Sequence, residues 1–114
     1  MATTRSDLAR NDEWDVLATA LHQYGIRHVA PRNARRQPFL RADELFRRLA
    51  TARSVRLQEA MIPLLLTHPE LDEAARSAIA TLSGETRRRA MSRYVAACAL
   101  QRMWRTRLAE ALGQ

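Results

Sequence analysis

The chain has 114 residues, of which 46% are hydrophobic and 27% are charged, a composition typical of one ordered domain and not of a disordered chain. Its net charge is +7, its sequence pI is about 11.3, and all 19 of its basic residues are arginine, which favours an anionic partner. The single cysteine, Cys98, excludes an intrachain disulfide and a cysteine-based zinc site, and no apolar run is long enough to predict a membrane span.

The hydrophobic pattern predicts an all-α fold, a single compact bundle of about five helices with a long C-terminal helix, over residues 1–114. Residues 1–11 are polar and are expected to be flexible. The first helix is predicted to begin at Asn11 or Asp12 and to stop at Gly25. Its apolar face consists of Trp14, Leu17, Leu21 and Tyr24.

Residues 26–40 contain two prolines, have no helical period and include no acidic side chain. Four arginines lie in this stretch before Phe39. The stretch is therefore predicted to be a basic loop, and loops of this length within a compact domain are often functional or disordered.

Three helices are predicted between residues 41 and 82. The second covers 41–53, the third covers 54–68 with a kink at Pro63, and the fourth begins at Pro69, which suits the first position of a helix. The side chains predicted to face the core are Ala42, Leu45, Phe46, Leu49, Val55, Leu57, Ala60, Met61, Leu64, Leu65, Leu71, Ala75, Ala78, Ile79 and Leu82.

The last predicted helix covers 85–112 and is about 40 Å long, because neither proline nor glycine interrupts it. Its large apolar side chains are predicted to cover one broad side of the helix. They are Met91, Tyr94, Val95, Cys98, Leu100, Trp104, Leu108 and Leu112.

The positive charge is concentrated in two places, the basic loop and the last helix. Residues 87–114 hold seven arginines and one glutamate, a net charge of +6. Arginines at a helix N-terminus are disfavoured by the helix dipole, which suggests an anion-binding role, although a solvated helix face explains them equally well. The candidate partner-binding or anion-binding residues are Arg32, Arg35, Arg36, Arg87, Arg88, Arg89 and Arg93.

No enzymatic motif is present, and no catalytic residue, metal site or cofactor is predicted. The three histidines, His22, His28 and His68, are scattered, and the chain has no glycine-rich phosphate loop and no nucleophile elbow. Cys98 lies in an apolar run and is expected to be buried. We expect His68, at the corner before Pro69, to pack there or to bind a helix-end carbonyl group.

Two runs, ELFRRLATARSVRLQEAMIPLLLTHPEL (44–71) and YVAACALQRMWRTRL (94–108), resemble small helical bacterial proteins encoded beside minimal nucleotidyltransferases in toxin–antitoxin-like pairs. The resemblance implies a cytoplasmic, non-enzymatic antitoxin or accessory subunit that binds and inhibits a nucleotidyltransferase toxin. The active site of such an enzyme holds Mg²⁺ on clustered carboxylates, and an arginine-rich surface could cover that acidic cleft. A start without a secretory signal also favours the cytoplasm.

Two alternatives remain open from the residues alone. The same arginines could contact nucleic-acid phosphates with little sequence readout, or the last helix could form a homodimer. Reading of a DNA groove by the fourth helix is disfavoured because its first turn carries Glu70, Asp72 and Glu73. The apolar interface candidates are Val95, Leu100 and Trp104, and their exposure in the folded chain would favour a protein interface over nucleic acid.

Overall fold

A computed structural model describes residues 5–32 and 39–113, including the side chains of residues 13–32 and 39–113. The all-α fold class and the long C-terminal helix are confirmed. The described part of the chain forms six α-helices, because the predicted third helix is divided into two. They are α1 (Arg5–Gln23), α2 (Ala42–Ala50), α3 (Val55–Glu59), α4 (Met61–Thr67), α5 (Asp72–Ala80) and α6 (Gly84–Leu112).

Helix α1 begins at Arg5, six residues before the predicted start, whereas its end agrees with the prediction. Gly25 follows the helix with φ +79, a conformation that L side chains rarely adopt. This conformation lets the N–H of Ile26 donate to the carbonyl of Leu21 at 2.9 Å, as in a Schellman motif. The motif turns the chain so that Ile26 is buried. Residues 1–4 lie outside the described residues.

A proline determines where the predicted third helix breaks. In a continuous helix, the N–H at position 63 would donate to the carbonyl of Glu59, but Pro63 has no N–H. The helix therefore ends at Glu59 and resumes at Met61. Pro69, predicted as the first residue of the fourth helix, instead begins a 3-10 turn (Pro69–Leu71) that leads into α5.

The centre of the core lies where α2 packs against α5. Leu45, Phe46 and Leu49 recur at helical spacing on α2 and are all 0% exposed. Small side chains face them from α5, namely Ala75 and Ala78 beside Ile79, and all three are buried. A large stripe on α2 against mostly small side chains on α5 lets the two helices approach closely.

Val55 was predicted to face the core, and this prediction is wrong because 56% of the residue is exposed. Leu57, two positions later, is buried. Residues two apart on a helix do not share a face, so burial of Leu57 turns Val55 towards solvent.

Helices α4 and α6 pack side by side and run in the same direction. Ile62 lines one pocket with Ala96, and Leu66, one turn later, lines another with Leu100. Between them, the Gln101 side-chain amide donates to the carbonyl of Leu65 at 3.0 Å. The buried residues of α6 are both alanines, Ala90 and Ala97, and small side chains permit this close packing.

Two side-chain hydrogen bonds connect α5 with α6 and the end of α1 with the end of α4. The Tyr94 hydroxyl on α6 donates to the Asp72 carboxylate at the start of α5, and this hydrogen bond, together with burial, raises the pKa of Tyr94. His68 Nε2 donates to the carbonyl of Tyr24, directly after α1, at 2.6 Å. The predicted contact between His68 and a helix-end carbonyl is therefore present.

None of the helices in the described ranges is both long and apolar enough to cross a membrane.

Replacing Phe46 by Ala is expected to lower the free energy of unfolding by about 3–5 kcal/mol, because it opens a cavity where α2 meets α5. Phe39→Ala is the matched control, since Phe39 is 68% exposed, and it should cost less than about 1 kcal/mol. Urea denaturation measures both values, and equal losses would contradict the central position assigned to Phe46.

The stability of the protein is expected to fall as pH rises through the pKa of His68. The Nε2–H group of His68 donates to the carbonyl of Tyr24, and Nδ1 lies 3.0 Å from the Glu70 carboxylate. Both contacts favour the ring with a proton on each nitrogen, so they raise the pKa of His68. This contribution is complete below the ordinary histidine pKa of about 6.5 and is lost as pH rises through the higher value of the folded protein.

The thermal midpoint should therefore drop between about pH 5.5 and pH 8 by more in the native chain than in His68→Gln. Glu70→Gln, which leaves the contact with Tyr24 in place, should lose only part of the difference. An identical pH dependence in the native chain and in His68→Gln would disprove the assignment.

Candidate interaction surface

The C-terminal part of α6 extends beyond the globule. Gln101 is the last partly buried residue of α6, and every residue from 102 to 113 is exposed. The molecule consequently measures 63 × 33 × 23 Å. We call residues 102–113 the projecting segment.

Large apolar side chains continue along the helix into this segment at a spacing of four. This set, together with Leu100 just before the segment, is named the apolar stripe and consists of Leu100 (41% exposed), Trp104 (62%), Leu108 (50%) and Leu112 (80%). Ala90, Ala97 and Trp104 are seven residues apart, which is about two turns. The apolar stripe is therefore the continuation of the side of α6 that is buried in the globule, at a point where the globule has ended.

The apolar stripe begins beside α4. Leu66, Leu100, Met103, Trp104 and Arg107 line a shallow pocket of about 240 Å³ at this junction. Apolar side chains from two helices and one guanidinium thus meet at the base of the projecting segment. Met103, Leu108 and Leu112 belong to this surface, although only Leu100 and Trp104 were predicted as interface residues there.

Val95, the third predicted interface residue, does not belong to the same surface. It is 57% exposed, but it is nine residues from Trp104, about two and a half turns, and so lies on the opposite side of α6. Met91, one turn earlier, is 40% exposed on the same side as Val95. The prediction that the large apolar side chains between positions 91 and 112 all cover one broad side of α6 is therefore wrong.

The arginines at the start of α6 are likewise divided. Arg87, Arg88 and Arg89 are consecutive and diverge by about 100° each. Glu85 partly neutralises two of them, because its carboxylate oxygens lie 3.8 Å from Nη1 of Arg88 and 3.3 Å from Nε of Arg89. The pair Arg89 and Arg93, one turn apart, lines a common groove.

That groove lies between α6 and the break that joins α3 to α4, and we call it the α3–α6 groove. It has a volume of about 510 Å³ and is lined by His28, Glu59, Ile62, Pro63, Arg89, Ser92, Arg93 and Ala96. No role was predicted for His28 or Glu59, because neither is near an arginine of α6 along the chain.

Arg32 lies in the loop after α1 and is held against that helix by two contacts. Its backbone N–H donates to the buried Asp15 carboxylate at 2.7 Å, and its guanidinium lies 4.7 Å from the centre of the Trp14 ring. Trp14 in turn donates to the carbonyl of Ala30 at 2.8 Å. These contacts fold the start of the basic loop onto α1. Arg35 and Arg36, also predicted as partner-binding residues, lie outside the described residues.

Cys98 is only partly buried, so the prediction of a buried thiol is wrong in degree. No group of three His, Cys, Asp or Glu side chains that could hold a metal ion occurs in the parts of the chain described.

Removing residues 107–114 is expected to change the free energy of unfolding by less than about 1 kcal/mol, because the described residues among them, 107–113, are all exposed. Gln101→Ala is the control within the packed part of α6 and should cost about 0.5–1.5 kcal/mol through loss of the hydrogen bond to Leu65. Chemical denaturation compares the two variants. A loss of several kcal/mol on truncation would mean that the segment packs against the globule in solution.

No protein family model matches this chain, and no curated protein or solved structure is significantly similar to it. Its function must therefore be argued from its own surfaces.

Proposed function

We propose that this protein binds another protein through the projecting segment of α6, and that the partner presents an apolar groove bordered by carboxylates. The observation that carries the proposal is the apolar stripe, a continuous row of large side chains on a part of the helix that the globule does not cover. Monomeric soluble proteins seldom leave such a row exposed unless it binds something.

Burial of the apolar stripe would supply affinity. Each leucine or methionine transferred from water to an apolar surface contributes about 1.5–3 kcal/mol, and an aromatic side chain such as Trp104 is a common interface anchor. Since the stripe contributes little to the fold, most of this energy is available for binding. The partner should therefore accept the helix in a groove, as amphipathic helices are commonly recognised.

The charges next to the stripe indicate the chemistry of the partner. The projecting segment contains three arginines, Arg102, Arg105 and Arg107, and one acidic residue, Glu110. Guanidinium groups form strong paired hydrogen bonds with carboxylates, so acidic side chains at the rim of the groove would fix the orientation of the helix. Two copies of the same segment would bring like net charges together, which disfavours self-association.

Nucleic acid is the weaker candidate for this surface. Arginines could contact phosphates, but the leucines and Met103 would then remain in water, because phosphate contacts dominate such complexes. The acidic Glu85 beside Arg88 and Arg89 also reduces the positive charge at the other end of α6.

The resemblance of residues 44–71 and 94–108 to proteins encoded beside minimal nucleotidyltransferases suggests one partner of this kind. A nucleotidyltransferase toxin has the acidic cleft that the arginines require, and occupation of that cleft would inhibit it. In this form of the proposal the protein is an antitoxin or accessory subunit, acting in the cytoplasm without catalytic activity of its own.

The test is affinity purification of the tagged full-length chain from its host lysate, with and without nuclease. A stoichiometric acidic protein should co-purify in both conditions. Leu108→Glu, which places a charge in the apolar stripe, should reduce its recovery at least about tenfold. Val95→Glu is the matched control, because Val95 is exposed to a similar extent on the opposite side of the same helix.

Three results would contradict the proposal. Equal loss with Val95→Glu would show that the apolar stripe is not the binding surface. Recovery of nucleic acid alone, lost as salt rises, would assign the arginines to phosphate binding. A concentration-dependent dimer that Leu108→Glu dissociates, with no second protein recovered, would assign the stripe to self-association.

A further inference from the structure

The α3–α6 groove has chemistry that the proposed function does not use. Arg89 and Arg93 form its α6 wall, one turn apart. Arg89 is also paired with Glu85, whereas Arg93 is partly buried and makes no ion pair with a described residue. Like charges one turn apart on a helix repel each other. An anion between the two guanidinium groups would remove this repulsion and receive hydrogen bonds from both.

The opposite wall of the groove has different polarity. It contains the Glu59 carboxylate, at the end of α3, and His28, in the turn region after α1. The backbone of His28 is held by the Arg56 guanidinium, which donates to its carbonyl at 3.2 Å. Its ring nitrogen Nε2 is enclosed and has no hydrogen-bond partner in the described structure. Because it is enclosed, this nitrogen is not open to the groove, and the Glu59 carboxylate is the polar group that this wall offers to a ligand.

The floor between these walls is apolar. Ile62, Pro63 and Ala96 form it, and the proline ring is rigid. The volume of about 510 Å³ is large enough for a small organic molecule, which would lie in an open groove and keep one side in solvent. A flat ring can lie on this apolar floor.

The geometry points to a binding site for a small phosphate monoester with a flat, hydrogen-bonding group, the chemistry of a nucleoside monophosphate. The phosphate lies against Arg89 and Arg93, and the ring lies on Ile62 and Pro63. Amine or hydroxyl groups at the far end donate to the Glu59 carboxylate. The carboxylate of Glu59 disfavours a second phosphate at that end, which selects a monophosphate over a nucleic-acid strand.

This site is independent of the proposed partner surface. It uses residues of the first half of α6, and none of them belongs to the projecting segment. Leu108→Glu should therefore leave ligand binding unchanged, and failure of either assignment leaves the other standing.

The test is a titration of the isotopically labelled full-length chain with AMP, monitored by nuclear magnetic resonance spectroscopy. We expect a dissociation constant of about 0.1–1 mM, with shifts of the amides of Ser92, Arg93 and Ala96. Adenosine and inorganic phosphate, each lacking one half of the ligand, should bind at least about tenfold more weakly. O-phosphoserine, which has a phosphate monoester but no ring, should behave as phosphate does.

Arg93→Gln should weaken AMP binding at least about tenfold, because it removes the groove cation that makes no ion pair with a described residue. Arg102→Gln removes the same charge from the projecting segment and should leave binding unchanged. A thermal melt of each variant confirms that it is folded.

The proposal is overturned if AMP causes no shifts in the groove at about 10 mM, or if the shifts concentrate on the projecting segment. It is also overturned if O-phosphoserine or adenosine binds as tightly as AMP, since the site then does not recognise both parts of the ligand. Equal weakening by Arg93→Gln and Arg102→Gln would indicate general attraction of anions to a basic protein.

Discussion

Helix α6 has 29 residues, and its packing partner α4 has only seven. At 1.5 Å per residue the two lengths are about 43 Å and 11 Å, so the globule can cover only part of α6. Within the covered part, Ala90 and Ala97 let the helices approach, and Gln101 closes the contact by its bond to Leu65. Beyond that point the same side of α6 carries larger side chains, and after the pocket shared with Leu66 it is not covered by any described helix. A helix that needed only to complete the core would change from apolar to polar residues there, and this one does not.

The helices and the centre of the core could be predicted from the sequence because they depend on local periodicity. Leu45, Phe46 and Leu49 follow the spacing of three and four, and all are buried. The division of the third helix could be predicted only in part, because the lost hydrogen bond of Pro63 falls at Glu59, one turn before the proline. The extended start of α1 was missed because polar residues give no apolar period, although nothing prevents them from being helical.

The candidate surfaces show a different limit. Val95 and Trp104 were grouped because both are apolar and on one helix, but their separation of nine residues places them on opposite sides. Helical geometry alone contains that information. The α3–α6 groove could not be found in this way, because His28, Glu59 and Arg93 come from three segments that only tertiary packing brings together. The contact between the Arg32 guanidinium and the Trp14 ring could not be predicted either, because it depends on the path of the loop after Gly25.

The two proposed binding surfaces, the α3–α6 groove and the projecting segment, both involve α6, which neither proline nor an internal glycine interrupts. Arg93 and Trp104 are separated by about 16 Å along its axis, so their relative position is fixed by the helix itself. They differ in what they offer a ligand. At the groove, cations stand above a small apolar floor of limited volume, which suits a small anion. At the projecting segment, apolar area dominates and the arginines lie at its border, which suits the hydrophobic centre and polar rim of a protein interface. In the two proposals the arginines therefore serve two kinds of recognition, and the apolar side chains beside each cluster decide which one applies.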